Sequence, residues 1–187
     1  MRYSLLPLVL ALGIPSMSWA EVEKEDKTFI GVRITDLELR SVDGDKAANM
    51  PGIEFVLGSY ITDYVKVEAR LGGALKEDSP RDDFQARVTG YASWYMGPRY
   101  PITDDTSVYG LFGFSFIKGN VDRDDRYAYP DLPDDLYDSS FSVSYALGMD
   151  VGFAENWYAN FELGRIHRDS MTKIRTMHLG AGLKYEF

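Results

Sequence analysis

Three groups of residues carry side chains with chemical potential. The first is the pair of histidines, His167 and His178, in a chain with no cysteine. An imidazole beside a hydroxyl can activate it as a nucleophile, and His167 is followed by Arg168, Asp169 and Ser170. The second is a set of acids and bases: Glu54, Lys66, Glu68, Arg70, Arg87, Asp150, Glu162, Lys184 and Glu186. Its members recur at even spacing, as in Lys66, Glu68 and Arg70, so each run falls on one face of an extended strand. Mixed signs on one face build either an ion-pair network or a polar path for small solutes. The third is an acidic stretch over 118–138. It holds Asp122, Asp124, Asp125, Asp131, Asp134, Asp135 and Asp138 against Lys118, Arg123 and Arg126. Clustered carboxylates offer hard oxygen ligands to divalent cations, but the order of residues lacks the D-x-[DN]-x-[DN]-G pattern, so no metal is expected there. Tyr127, Tyr129 and Tyr137 lie in the same stretch with Pro130 and Pro133. Tyrosine offers contact area at low entropic cost, and these three are the candidate loop contacts.

What positions these groups is a set of alternating strands. From 140 to 153, Phe141, Val143, Tyr145, Leu147, Met149, Val151 and Phe153 share one face, and Ser142, Ser144, Gly148 and Asp150 share the other. This is period two. Strands in soluble proteins usually run about 5–6 residues, whereas a tilted membrane strand needs about 9–11 plus overhang. Similar reading gives strands near 28–40, 52–62, 64–76, 84–100, 107–118, 157–167 and 173–187. Ile30, Val32 and Ile34 share a face in the first, but Leu37 and Leu39 have the other parity, which suggests a bulge. In the fourth, Phe84, Ala86, Val88, Ala92, Trp94 and Met96 are expected outward. Residues 62–64, 101–106 and 154–157 read as short turns. Residues 41–51, 77–83, 119–139 and 168–172 read as polar loops. No further sheet or helix is available to cover the apolar faces, so they are expected to meet lipid. Tyr64, Trp94, Tyr100, Trp157, Tyr185 and Phe187 are expected near one interface, where an apolar ring with a polar tip is at home. Gly58, Tyr64 and Glu68 are spaced like Gly152, Tyr158 and Glu162, a weak echo between two hairpins.

Residues 1–20 read as a secretory signal peptide. Arg2 precedes an apolar run from Leu5 to Ile14, and Ser18-Trp19-Ala20 forms a cleavage site, so that the mature chain begins at Glu21. The apolar run is too short to span a bilayer, which takes about 20 residues. The net charge of −9 becomes −10 when Arg2 is lost. An acidic chain is a poor match for nucleic acid, which is bound by clustered Lys and Arg. Without cysteine, thiol and zinc-thiolate chemistry are excluded, and an oxidising compartment places no demand on the chain. Residues 21–187 suit one domain.

The last strand alternates to the final residue, with Met177, Leu179, Ala181, Leu183, Tyr185 and Phe187 on one face. Together with Gly58-Ser-Tyr-Ile-Thr-Asp-Tyr-Val-Lys-Val-Glu68 and the closing Leu183-Lys-Tyr-Glu-Phe187, this resembles the eight-stranded outer-membrane barrel family, which includes the transmembrane domain of outer membrane protein A, outer membrane protein X, and Ail-type and opacity-type proteins. The resemblance covers essentially all of 27–187. It implies an all-β fold, an eight-stranded antiparallel up-and-down transmembrane β-barrel in a Gram-negative cell outer membrane. Tyr185 and Phe187 would be an assembly signal read by the barrel-assembly machinery. The remaining partners would be outer-membrane lipid and lipopolysaccharide, with the loops free to meet a host or phage ligand. The sequence ends at Phe187, so a cell-wall-binding domain like that of full-length outer membrane protein A is not expected.

In such a barrel Glu54, Glu68, Arg70, Arg87, Glu162 and Lys184 are expected to form interior ion pairs, with Glu68 meeting Arg70 or Arg87. Some barrels of this size deacylate lipid A with a close His-x-Ser arrangement. His167 departs from that pattern, and His178 falls on an inward position. The expectation is a monomer without enzymatic activity or cofactor, structural and adhesive in role; a small-solute channel is the alternative, and a lipid A-modifying enzyme stands third.

Overall fold

The fold was obtained as a computed structural model, which describes residues 23–41, 47–76, 78–81, 84–123, 140–168 and 174–187. Nine strands are present among them: β1 Thr28–Ser41, β2 Ala47–Thr62, β3 Val65–Ala74, β4 Asp78–Arg81, β5 Phe84–Pro101, β6 Thr106–Arg123, β7 Ser140–Ala154, β8 Trp157–Arg168 and β9 Ile174–Glu186. All but β4 are staves of one barrel. Consecutive staves pair antiparallel, with β3 pairing directly to β5 and β1 to β9, while the short β4 pairs with β5. The ring of staves is therefore closed, and none of the eight keeps an unpaired edge, which is what a sheet in lipid requires. At the seam the amide of Phe187 donates to the Thr28 carbonyl at 2.9 Å, and the amide of Thr28 donates back to Phe187 at 3.1 Å.

The alternation of the chain sets the two faces. Phe141, Leu147 and Phe161 are 65%, 58% and 49% exposed on the outer wall, while Ser142, Ser144, Asp150 and Glu162 are buried within. An interior that is charged and an exterior that is apolar invert the order of a soluble barrel. The outer rings include Tyr64, Tyr100 and Trp157 near the short turns. Trp94, expected beside them, stands opposite Ala69 and Phe114, well up the wall.

Several local expectations are corrected. The loop expected at 77–83 contains β4, which pairs with the start of β5. β2 begins at Ala47 and β6 runs to Arg123, so the staves project further beyond the lipid band than the sequence suggests. β1 has no bulge: its register to both neighbours is unbroken, and Leu37 turns inward because the strand has risen above the apolar band. A register shift lies instead in β5, between Val88 and Gly90. It reverses the parity, so Val88 is buried in the interior rather than facing lipid. The hairpin echo is not one of equivalent positions, since Gly58 stands opposite Glu68 whereas Gly152 stands opposite Tyr158.

Candidate functional site in the barrel interior

Eight staves enclose just enough room for side chains, and here charge fills the lower part of it. Lys24, Arg33, Lys66, Arg70, Arg99 and Lys184 are buried there with Glu54, Glu68, Asp150, Glu162 and Glu186. An isolated charge in such a place is prohibitive, so each must find opposite charge and hydrogen bonds.

The centre is built by two arginines. Arg70 on β3 donates from Nε to Glu68 at 2.8 Å, and from Nη1 and Nη2 to Glu162 at 2.6 and 2.8 Å. Glu162 lies on β8, the stave diametrically opposite β3 in the ring. Arg33 on β1 forms ion pairs with Glu162 at 2.6 Å, Glu54 at 3.2 Å and Glu68 at 3.5 Å. Tyrosines complete the carboxylates. Tyr109 donates to Glu162 at 2.7 Å and Tyr91 to Glu54 at 2.9 Å. Their rings need space that glycine leaves open: a Cβ at Gly72 would collide with Tyr91, and one at Gly148 with Tyr109.

Nearer the short turns a second layer is lysine-based. Lys184 Nζ lies 2.7 Å from Asp150 and 3.0 Å from Glu186, and donates to Tyr60 at 2.9 Å. Lys66 pairs with Glu68 at 2.8 Å. Lys24, which precedes β1, turns into the mouth to meet Glu186 and donates to Tyr158 at 2.7 Å. Its backbone amide and that of Glu25 donate to Asp63 Oδ1 at 2.6 and 3.0 Å. Those two bonds hold the Asp63 carboxyl below its ordinary range, because they favour the ionised form.

Above the charged layers the interior becomes apolar. Leu37, Met50, Val88, Tyr91, Ile117 and Ile166 form one buried cluster, drawn from β1, β2, β5, β6 and β8. Staves from around the ring thus meet across the lumen.

The expected interior residues Glu54, Glu68, Arg70, Glu162 and Lys184 are brought together. The contact of Glu68 with Arg70 runs along one strand rather than across the lumen. The Arg87 side chain lies outside the described residues. Arg33 was missed, although it lies between Val32 and Ile34 and so has inward parity. Lys24 gave no signal, since it stands before the periodic region. His178 Nε2 is 2.8 Å from Glu162, deep in the network. His167 is buried at the upper end of β8, and Asp169 and Ser170 lie outside the described residues, as do Tyr127, Tyr129 and Tyr137. Tyr185 packs between Trp157 and Phe187, with ring centroids at 5.0 and 6.3 Å.

Known proteins share this architecture. The crystal structure of Ail, the attachment invasion locus protein of Yersinia pestis, superposes with a TM-score of 0.63 at 16% identity, covering 87% of this chain and 99% of Ail. The same protein in complex with the heparin analogue sucrose octasulfate gives 0.59 at 17% identity, with coverage of 87% and 99%. Neisserial surface protein A gives 0.61 at 13% identity, covering 87% of this chain and all of that one. At such identities the likeness is one of fold. No curated protein sequence matches. The family model for the outer membrane protein beta-barrel domain matches residues 5–187. A closed barrel with its charge inside and its apolar wall outside is what that family builds, and this chain belongs to it, as a protein of the outer membrane.

Proposed function

We propose that this is a non-enzymatic barrel that acts through its extracellular loops, as a structural and surface-contact protein, and not through its lumen. The observation that carries the reading is the cross-lumen pairing of Arg70 with Glu162 beneath an apolar cluster, which leaves the interior committed to holding the barrel together. His178 is engaged by Glu162 and is no free base. Phe187 and Tyr185 end the stave that closes the seam, as suits a signal for the assembly machinery.

Ail, whose name denotes attachment and invasion, was crystallised with a sulphated heparin analogue. The third loop here has the opposite electrostatic character, with seven Asp against Lys118, Arg123 and Arg126 over 118–138. Like charge disfavours a polyanion. The ligand class therefore shifts toward a host or phage component with a basic or neutral face, met by Tyr127, Tyr129 and Tyr137. Deleting residues 120–137 tests this. With barrel folding verified by heat-modifiable gel mobility, cell adhesion or phage sensitivity is expected to fall. Both unchanged would reduce the loop to a solvated connection.

A further inference from the structure

The outer wall of β8, β9 and β1 is shaped and charged in a way that closing the barrel does not require. A groove of about 450 Å³ runs between Ile34, Pro51, Phe161 and Leu179, floored by Gly180 and Ala181. Its walls are apolar, and its depth comes from the small residues on β9. Asp36 stands exposed at the upper edge. Two staves away on the same outer wall, Arg165 lies over the Tyr145 ring at 4.7 Å. Its Nε is buried without a hydrogen-bond partner among the described residues. Asp36 and Arg165 form no ion pair with each other, because β9 lies between their staves.

The tilt of the staves decides which of these residues are level. Staves of such barrels lean by about 35–45°, so a row of paired residues climbs or falls around the wall. Followed once round the ring from β1 through β2, the registers return to β1 nearer its loop end. Rows therefore climb from β8 to β1. Arg165 is paired with Met177, and Met177 with Glu38. Allowing for the climb, Arg165 is level with Asp36, one outward position lower on β1. Arg168, opposite Arg175 and through it Arg40, is level with Glu38 in the same way. A base on β8 and an acid on β1 thus flank β9 at one height, and again one step nearer the loops.

We propose that two copies of this chain meet at this wall, in a two-fold dimer whose axis lies along the membrane normal in front of β9. A two-fold axis so placed sets β8 of each copy against β1 of the other, and every contact occurs twice. Arg165 of each copy then meets Asp36 of the second, so one surface supplies both halves of two ion pairs. Between walls that both face lipid, apolar area gives no preference for a partner, and close packing with polar contacts decides. Gly180 and Ala181 allow the close packing. Phe161, 49% exposed, is carried against the β1 side of the second copy's groove. Acyl chains fill such a groove too, but they bring phosphates, of the same sign as Asp36, to its upper edge. The inference goes beyond the loop-mediated role, and a loop deletion without phenotype would leave it standing.

Thiol cross-linking tests it cleanly, since the chain has no cysteine of its own. Ala181→Cys places one thiol beside the proposed axis, and Ala92→Cys places one on the outer wall of β5, diametrically opposite β9. Each full-length variant is reconstituted in vesicles of phosphatidylethanolamine and phosphatidylglycerol and treated with a short bismaleimide. Folding is verified by heat-modifiable gel mobility. Ala181→Cys is expected to give about tenfold more covalent dimer than Ala92→Cys, a difference within the range of close charge pairs across an interface. In the Ala181→Cys background, Asp36→Arg or Arg165→Asp alone sets like charges against each other and is expected to lower the yield to that of Ala92→Cys. The double exchange D36R/R165D is expected to restore it, because the two-fold axis pairs the exchanged charges again. Equal yields at Ala181→Cys and Ala92→Cys would overturn the proposal and leave the wall to lipid. So would single variants that cross-link like their parent, or a folded double exchange that stays at the level of the singles. Should a charge variant fail to fold, the comparison of the two thiol positions decides alone.

Discussion

Arg70 and Glu162 reach each other from opposite staves, and both side chains are fully buried. Such a pair gives its stability through geometry: desolvation costs several kcal/mol per ion, and only well-placed partners recover it. Removing one member is the harsher perturbation, because it strands the other. Arg70→Met leaves Glu162 to Arg33 and His178, and Glu68 to Lys66 and a 3.5 Å contact with Arg33, so that one guanidinium must serve both carboxylates. The expected loss is about 3–5 kcal/mol, read as a lowered urea midpoint in detergent. The double variant Arg70→Met/Glu162→Gln is expected to lose less than the sum of its singles, since the two side chains act as a unit. Additive losses would show that the contact does not couple the walls. Glu68→Gln belongs to the same network and is expected to lower the melting temperature while leaving conductance unaltered.

At the level of elements, the segment before β1 behaves as a strap. Lys24 fills the mouth, and the amides of Lys24 and Glu25 are clamped by Asp63 in the turn between β2 and β3. Asp63 is ionised more readily in the folded protein than in the unfolded chain. Its contribution is therefore complete above the ordinary aspartate pKa and disappears as pH falls through the lowered, folded value. Because the carboxylate is almost fully solvated, the effect on global stability is slight, and the strap is the place to read it. The amide resonance of Lys24 is expected to shift in an acid titration with a midpoint below 3.8, and Asp63→Ala is expected to abolish the transition. A midpoint at or above that value would remove the clamp. The strap also shows what a sequence conceals. The staves were legible because lipid on one side and a crowded lumen on the other enforce strict alternation, as in β7. Glu54, Glu68 and Glu162 followed from the same parity, and so would Arg33 have done, had the apparent disorder at Leu37 and Leu39 not obscured the register of β1. Val88 was misplaced because a bulge leaves no mark on the spelling of β5. Lys24 was beyond reach because its position depends on Glu186, the last residue but one, brought alongside by closure of the ring.

The whole molecule is two barrels in one wall. Between the short turns and about the level of Ile34, apolar side chains face out and charge is enclosed. Above it the order reverses: Asp36, Thr89, Lys118 and Arg168 face out, while Leu37, Met50, Ile117 and Ile166 pack inside. The strands run through this reversal without a break in β1, so a single sheet passes from lipid to water by exchanging which face is greasy. The consequence concerns conduction. An ion entering from the loop end meets an apolar layer first, where dehydration is unfavourable, and then a layer whose charges are already paired with one another. Two unlike barriers stand in series. Planar bilayers containing the wild type are therefore expected to show no steady open state. Arg70→Met, which loosens only the lower barrier, is expected to remain silent for the same reason. Adding Leu37→Ser and Ile117→Ser to it, which wets the upper layer as well, is the combination expected to give measurable current. A steady conductance in the wild type would mean that the paired side chains leave a continuous path between them, and the lumen would regain its standing as the working part of the protein.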